Sequence, residues 1–128
     1  MRVLLDTHVF IWLDIAKDRL SEQAKHVILN TENTLYVSLV SLWEIQIKMQ
    51  LGKLHLNAPL QDTWQSQQKT NGLHLMPIEL AHILALSTLP SHHGDPFDRL
   101  LIAQTKTDEL TILTNDDKIQ QYEVSHLW

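Results

Sequence analysis

The 128-residue sequence contains no cysteine. This absence excludes disulfide bridges and zinc sites built from thiolates, and it suits a reducing cytoplasm. No apolar run approaches the roughly 18–20 residues that a bilayer-spanning helix needs. The N-terminal segment reaches Asp6 and His8 before a signal-peptide core could develop. We therefore expect a soluble, cytoplasmic protein that makes no membrane contact.

Positive charge is also scarce. Ten Lys and Arg residues stand against 15 Asp and Glu residues, which gives a formal net charge of −5. Nucleic-acid binding proteins usually present a basic face to the phosphates, so any binding of nucleic acid must depend on a local site, where bound cations could offset the acids. The eight histidines are scattered and match neither HExxH nor a zinc-finger spacing.

The chain has no internal repeat, no low-complexity segment and no linker rich in proline or glycine, so we predict a single domain over residues 1–128. Short apolar segments with strand character alternate with helical patterns, which is typical of a parallel sheet covered on both faces. The predicted strands are 2–5, 34–38, 73–76 and 111–114, with a candidate fifth at 124–127. The predicted helices are 9–13, 22–29 after the cap Ser21, 39–51, 60–71, 79–89, 96–107 and 117–122.

Two aspartates follow predicted strands directly. Asp6 comes after the first strand, and Asp116 follows the fourth. Ligands of open parallel sheets bind beyond the carboxyl ends of the strands. Asp6 and Asp116 are therefore expected at the same rim of the sheet.

The segment HHGDPFDRLLIAQ, residues 92–104, holds two further aspartates. Asp95 is followed by Pro96 and an apolar helical pattern, so it has a complete explanation as a helix N-cap. Asp98 would then be the third helical residue, where a carboxylate can complete a capping box, interact with the helix dipole or serve a function. From the local pattern alone, these alternatives for Asp98 stay open.

Glu44 has the same ambiguity. It completes a Ser-x-x-Glu box with Ser41, but it lies in the otherwise apolar run SLVSLWEIQIK. A carboxylate in such a run is partly buried or faces a cleft, and burial of an unpaired charge is costly. The helix of Glu44 directly follows a strand, so it starts at the rim that holds Asp6 and Asp116.

Four carboxylates in one cleft would repel one another and raise one another's pKa values. A hard divalent cation relieves that repulsion, and a set of oxygen ligands without Cys or convergent His favours Mg²⁺ or Mn²⁺ over zinc. Chemistry at such sites is typically phosphoryl transfer. The combination of acids therefore predicts a metal site.

Four segments in this order, LLDTHVFIW, SLVSLWEIQIK, HHGDPFDRLLIAQ and LTILTNDDKIQQY, resemble the acidic motifs of PIN-domain ribonucleases. The similarity is closest to the VapC-type toxins of toxin–antitoxin modules and covers essentially the whole chain. The DPFDRLLIAQ element is specific, whereas a single aspartate after a strand is a weak signal by itself.

The resemblance implies a PIN-like, three-layer α/β/α sandwich with a mainly parallel sheet of four to five strands. It implies metal-dependent endonucleolytic cleavage of RNA by a metal-activated water, with Mg²⁺ or Mn²⁺ as cofactor. Carried over by motif, the metal ligands would be Asp6, Asp98 and Asp116, with Glu44 completing the site or orienting the water. The implied partners are the RNA substrate, a cognate antitoxin and a second copy of the chain in a homodimer.

Several residues near these motifs keep two interpretations each. Asp117 could cap the short helix or support the site, and His92 and His93 could pack in a loop or contact RNA or antitoxin. His8 could line the cleft or lie on the surface. Arg99 could form an exposed salt bridge with Asp98 or contact phosphate. Trp12 and Trp43 could stack on bases, although their helical spacing favours the core or a dimer interface.

Three other functions share parts of this pattern. A haloacid-dehalogenase-type phosphatase needs a second acid two residues after the first, where this chain has His8. A phosphorylation receiver needs an acidic pair after the first strand, which Asp6-Thr7-His8 does not supply. The remaining alternative is a catalytically inactive PIN-fold module that sequesters RNA or a protein. Such a module should be indifferent to a chelator.

Overall fold

A computed structural model describes all residues 1–128. Its five strands form one sheet in the order β3-β2-β1-β4-β5, and every neighbouring pair is parallel. The strands are β1 (Arg2–Leu5), β2 (Thr34–Ser38), β3 (His74–Met76), β4 (Thr111–Leu113) and β5 (His126–Leu127). The helices are α1 (Thr7–Ile15), α2 (Glu22–Leu29), α3 (Leu39–Gln50), α4 (Leu60–Asn71), α5 (Leu80–Ala85), α6 (Pro96–Thr107) and α7 (Asp117–Gln120). Turns of 3₁₀ helix cover Lys17–Arg19 and Leu86–Thr88.

The sheet separates two hydrophobic cores, which confirms the predicted three-layer arrangement. Successive residues of a strand point to opposite faces, so Val3 and Leu5 enter one core and Leu4 enters the other. The first core is completed by α1 and α2, and the second by α6 together with Ile119 of α7. None of the helices combines the length and the apolar composition that a membrane-spanning segment requires.

Most predicted elements are confirmed to within a residue or two, and α6 covers the predicted 96–107. The helix predicted over 79–89 is wrong in its second half, since α5 ends at Ala85 and a 3₁₀ turn follows. The hydroxyls of Ser87 and Thr88 donate to the carbonyls of Leu84 and Ala85. Such local side-chain bonds compete with a regular α-helix. The first helix is longer than predicted, because it begins at Thr7 and ends at Ile15.

The strand order places the carboxyl ends of β1 and β4 side by side. The chain runs from β1 outward to β2 and β3, then returns to add β4 and β5 on the other side of β1. The order therefore reverses between β1 and β4, and ligands of open α/β sheets bind at such a switch point. Asp6 follows β1 and Asp116 lies just beyond β4, so both flank this position.

Of the two interpretations left open for Glu44, the capping box with Ser41 does not form. The N-cap of α3 is Ser38, whose hydroxyl accepts a 3.0 Å bond from the Val40 amide, while Ser41 lies inside the first turn and accepts a 2.8 Å bond from the Thr7 hydroxyl. The Thr7–Ser41 bond ties the start of α1 to the start of α3. Glu44 is therefore not a capping residue, and its burial needs another explanation.

Replacement of Ser38 by alanine should lower the free energy of unfolding by about 1 kcal/mol, because the buried Val40 amide loses its acceptor. Urea denaturation would measure the change. Ser66→Ala, on the exposed surface of α4, is the control and should stay within about 0.5 kcal/mol of the parent. Equal effects of the two substitutions would contradict the assigned cap.

Candidate functional site

Asp6 stands at the end of β1 and is only 2% exposed. Although it is the N-cap residue of α1, its side chain makes no capping bond. Instead its Oδ2 accepts a 2.8 Å bond from the Thr114 hydroxyl across the switch point, and its Oδ1 is buried without a partner. Burial is the largest influence on the Asp6 carboxyl and raises its pKa, and the nearby Asp116 charge raises it further.

Asp98 lies in the first turn of α6, with its side chain 14% exposed. Asp95 is the N-cap, as predicted, because its Oδ1 accepts from the amides of Phe97 and Asp98. Those contacts engage the backbone of Asp98 and leave its carboxyl free to face the other acids.

The pKa of Asp98 rises from 3.8 to about 8. Burial is the largest cause, because desolvation disfavours the charged form. Negative charges raise it further, in the order Asp95, Asp6, Asp116 and Glu44. The charges of the other three predicted site acids therefore all act on Asp98, together with that of its cap residue Asp95.

Glu44 is 5% exposed and its Oε1 is buried without a partner. Its Oε2 forms a 2.7 Å ion pair with Lys48, one turn further along α3. Lys48 thus offsets the buried charge that made Glu44 unusual in the sequence. Because Glu44 is already paired with Lys48, it is the least available of the four carboxylates to bind a cation.

Asp116 caps α7, since its Oδ1 accepts a 2.8 Å bond from the Lys118 amide. The prediction that Asp117 caps this helix is wrong. Asp117 is the first helical residue and is exposed. The Thr114 hydroxyl accepts from the Asp116 amide and donates to Asp6, so it links the ends of β4 and β1.

A divalent cation fits the chemistry of this donor set. The four acids supply only hard oxygen atoms, and two of those oxygens, Asp6 Oδ1 and Glu44 Oε1, are buried without any hydrogen bond. No three Asp, Glu or His side chains form a group that could hold an ion between them as they stand. An ion bound here would therefore depend on a few carboxylates together with water or phosphate oxygens, as is usual for Mg²⁺.

His93 contacts the site, although the sequence favoured a packing role. Its Nε2 lies 3.4 Å from Asp98 Oδ2, and its Nδ1 lies 2.9 Å from the buried Tyr122 hydroxyl. Arg99 donates a 3.0 Å bond to the same hydroxyl. A guanidinium can only donate, so the Tyr122 proton is not used by Arg99 and is available for His93 Nδ1 in the tautomer that leaves Nδ1 unprotonated. A singly protonated His93 ring then carries its proton on Nε2, directed at Asp98.

The structure also shows what Arg99, His92 and the tryptophans contact. The predicted Arg99–Asp98 salt bridge is absent, because Arg99 bonds to the Pro90 carbonyl and to Tyr122. His92 packs edge-on against Tyr122 in the loop before α6. The tryptophans differ from each other, since Trp12 packs against the first core while Trp43 is 56% exposed and touches Phe97.

Sequence reasoning missed Tyr122 and the orienting role of Thr114. Tyr122 is the last residue of the motif LTILTNDDKIQQY, and its spacing from His93 offers no local signal. Thr114 carries a weak signal, as a hydroxyl residue at the end of a strand two positions before an acid. Only the packing of α6 and α7 on the sheet brings these groups together.

A five-stranded parallel sheet with helices on both faces, and with Asp6 and Asp116 lining a cleft at its switch point, defines an α/β protein with an acidic cleft. The chain belongs to the PIN domain family, whose model matches residues 3–125. It is 28% identical over 122 residues to Ribonuclease VapC22 of Mycobacterium tuberculosis, a match that covers 94% of this chain and 91% of that relative.

Solved structures share the fold. VapBC2 from Rickettsia felis, bound to a DNA fragment from its promoter, matches with a TM-score of 0.74 at 16% identity and covers 99% of this chain and 98% of that one. VapBC-1 from nontypeable Haemophilus influenzae matches with a TM-score of 0.69 at 18% identity, over 99% and 97% of the two chains. At these identities the likeness establishes the PIN-like architecture.

Proposed function

We propose that residues 1–128 act as one nuclease domain that cleaves RNA phosphodiester bonds with a divalent metal ion, as the toxin of a toxin–antitoxin pair. The observation that carries the proposal is the environment of Asp98, a mostly buried carboxyl on which the charges of Asp95 and of the three other site acids act. Without a cation such a cluster is electrostatically unfavourable. RNA is proposed as the substrate because the relative that matches over 94% of the chain is named a ribonuclease.

In this proposal Asp6, Asp98 and Asp116 hold Mg²⁺ or Mn²⁺, and Glu44 completes the site or orients the attacking water. When bound, the ion lowers the pKa of a water and offsets charge on the phosphate. Thr114 holds Asp6 with its Oδ1 free, and the cap bond of Asp116 leaves the second oxygen of that carboxylate free of the helix. His93 holds one oxygen of Asp98 in the same way.

The proposed partner is a small antitoxin protein. A solved structure that shares this fold, with a TM-score of 0.64, is described as a toxin–antitoxin complex from Klebsiella pneumoniae. A homodimer remains a prediction, which sedimentation velocity of the purified chain would test.

The direct test is incubation of total bacterial RNA with the purified protein in Mn²⁺, Mg²⁺ or EDTA. We expect discrete fragments that require metal, and 5′-end analysis should find phosphate on the new ends. Tight metal binding without cleavage of any RNA class, after removal of copurifying protein under denaturing conditions and refolding, would support the inactive binding module instead.

Tyr122→Phe should weaken Mn²⁺ binding by about 10-fold, because the variant keeps the ring but loses the hydroxyl that sets the His93 proton. Isothermal titration calorimetry would measure the affinity. Tyr36→Phe is the matched control, since the Tyr36 hydroxyl belongs to no hydrogen bond that reaches the site, and its affinity should equal the parent's. An unchanged affinity in Tyr122→Phe would contradict the role given to His93.

A further inference from the structure

The cleft that Asp6 and Asp116 line also contains residues that the proposed metal site does not use. The cleft has a volume of about 360 Å³. Its lining consists of Asp6, His8, Trp12, Arg19, Asn115 and Asp116. Arg19 is the only lysine or arginine in that lining, so it is the one permanent cation facing the two acids.

Arg19 lies at the end of the 3₁₀ turn Lys17–Arg19 and is exposed. Its guanidinium carbon stands 4.7 Å from the centre of the Trp12 ring, which is cation–π distance. The side chain of Arg19 takes part in no ion pair and in none of the side-chain hydrogen bonds of the structure, although acids line the same cleft. A guanidinium stacked on a ring keeps its N–H groups free at its edge, where they can form a bidentate pair with phosphate.

Trp12, on which Arg19 stacks, is itself held by packing contacts. Its ring packs edge-on against Trp128 at 5.9 Å and lies 5.9 Å from the ring of His8, and both tryptophans pack against the first core. Packing against the core explains why a tryptophan stands here. It does not explain an arginine without an ionic partner on the rim of an acidic cleft.

An acidic protein that cuts RNA must hold a polyanion next to its own carboxylates. The chain has a net charge of −5, and the cut phosphate would lie beside four acids. A metal ion offsets charge at the cut bond, but the neighbouring phosphates of the strand still face Asp6 and Asp116. Arg19, which lines the same cleft, supplies the missing attraction at that place.

We propose that Arg19, positioned by Trp12, binds a phosphate of the RNA strand adjacent to the bond that is cut. The inference rests on the proposed ribonuclease function, because it names a substrate contact of that same cleft. Arg19 acts on substrate binding and has no part in holding the metal ion.

The test compares Arg19→Gln with Lys17→Gln. Lys17 belongs to the same 3₁₀ turn and is also exposed, but it lines a different groove with Leu13 and Leu20. Each substitution removes one positive charge from the same 3₁₀ turn. A difference between the two variants therefore reports a local contact of Arg19, whereas a general charge effect would be equal in both.

Binding of fluorescein-labelled single-stranded RNA of random sequence would be measured by anisotropy over a range of salt concentrations. An Asp98→Asn background prevents cleavage during the measurement. Arg19→Gln should weaken binding by about 5- to 10-fold and reduce the slope of log affinity against log salt by about 0.7–1. Lys17→Gln should change neither, and Arg19→Lys should keep the slope while losing part of the affinity. Equal losses in Arg19→Gln and Lys17→Gln, no loss in either, or no RNA binding at all would overturn the proposal.

A kinetic measurement separates this proposal from the ribonuclease function itself. In the parent background Arg19→Gln should raise KM for RNA with little change in kcat, which is the signature of lost uniform binding. Its Mn²⁺ affinity should equal that of the parent. Metal-dependent cleavage by the parent with an unchanged KM in Arg19→Gln would overturn the role of Arg19 and leave the ribonuclease function standing.

Discussion

Asp98→Asn is expected to reduce metal-dependent RNA cleavage by about 1,000-fold or more while the protein stays folded. The charge stabilisation that a metal ion supplies is worth several kcal/mol, and about 1.4 kcal/mol corresponds to one decade in rate. Asparagine keeps the shape of the side chain but lacks the anionic oxygens that hold a hard cation. Initial rates on a purified fragment of the cleaved RNA would measure the loss, and circular dichroism would report the fold.

Asp95→Asn is the matched control, three residues earlier in the same helix start. Asparagine also caps helices, so the bonds to the Phe97 and Asp98 amides have an equivalent acceptor. Cleavage should persist. The Asp95 charge raises the pKa of Asp98, so its removal should lower that pKa and move the acidic limb of the rate profile to lower pH. Equal loss of cleavage in the two variants would refute the separate roles assigned to these aspartates.

Asp98 should also make the metal-free protein less stable as the pH rises. The pKa of Asp98 is 3.8 in its ordinary state and about 8 in the fold. Between those values the folded state binds more protons than the unfolded state, so the free energy of unfolding falls as pH increases. The loss begins near pH 4 and is complete above about pH 8. In the folded protein the protonated form of Asp98 dominates up to about pH 8, whereas in the unfolded chain the carboxyl is already ionised above about pH 4.

Asp98→Asn removes the loss of stability that ionisation of Asp98 causes in the folded protein. In EDTA at about pH 8 we expect the variant to be more stable than the parent by about 2 kcal/mol. One pKa unit is worth about 1.4 kcal/mol, and solvent screening of a partly exposed carboxyl reduces the full effect. Urea denaturation across the pH range would measure it, and the two proteins should converge near pH 4.

In Mn²⁺ we expect the opposite order, with the parent more stable than Asp98→Asn. Binding to the folded parent adds about 2.7 kcal/mol when the free ion is 100 times its Kd, whereas Asp98→Asn should gain far less. Asp117→Asn, at the exposed neighbouring acid, serves as control and should follow the parent in EDTA and in Mn²⁺. A parent that is equally stable at about pH 5 and about pH 8 without metal would contradict the raised pKa of Asp98.

The sequence by itself was sufficient for the architecture and for placing Asp6 and Asp116 just beyond the ends of β1 and β4. Strand β2 and helix α6 have the bounds that their β-branched and apolar patterns predict, because these elements depend on local periodicity and caps. Asp95 before Pro96 was recognisable as an N-cap for the same reason. Asp6 could be placed at the rim because parallel strands have their carboxyl ends on one side of the sheet.

The state of each carboxylate was decided by the tertiary structure. Asp6 is held by Thr114, which is 108 positions away, and Asp98 is reached by Tyr122 through His93. Ser38 is the cap of α3 because the helix begins at Leu39, and Ser41, inside the first turn, accepts instead from the Thr7 hydroxyl. Local patterns encode interactions between residues about four apart, whereas these bonds form only after two layers of helices have packed on the sheet. Burial then shifts the pKa of Asp98, since desolvation depends on everything around a group and not on its neighbours in the chain.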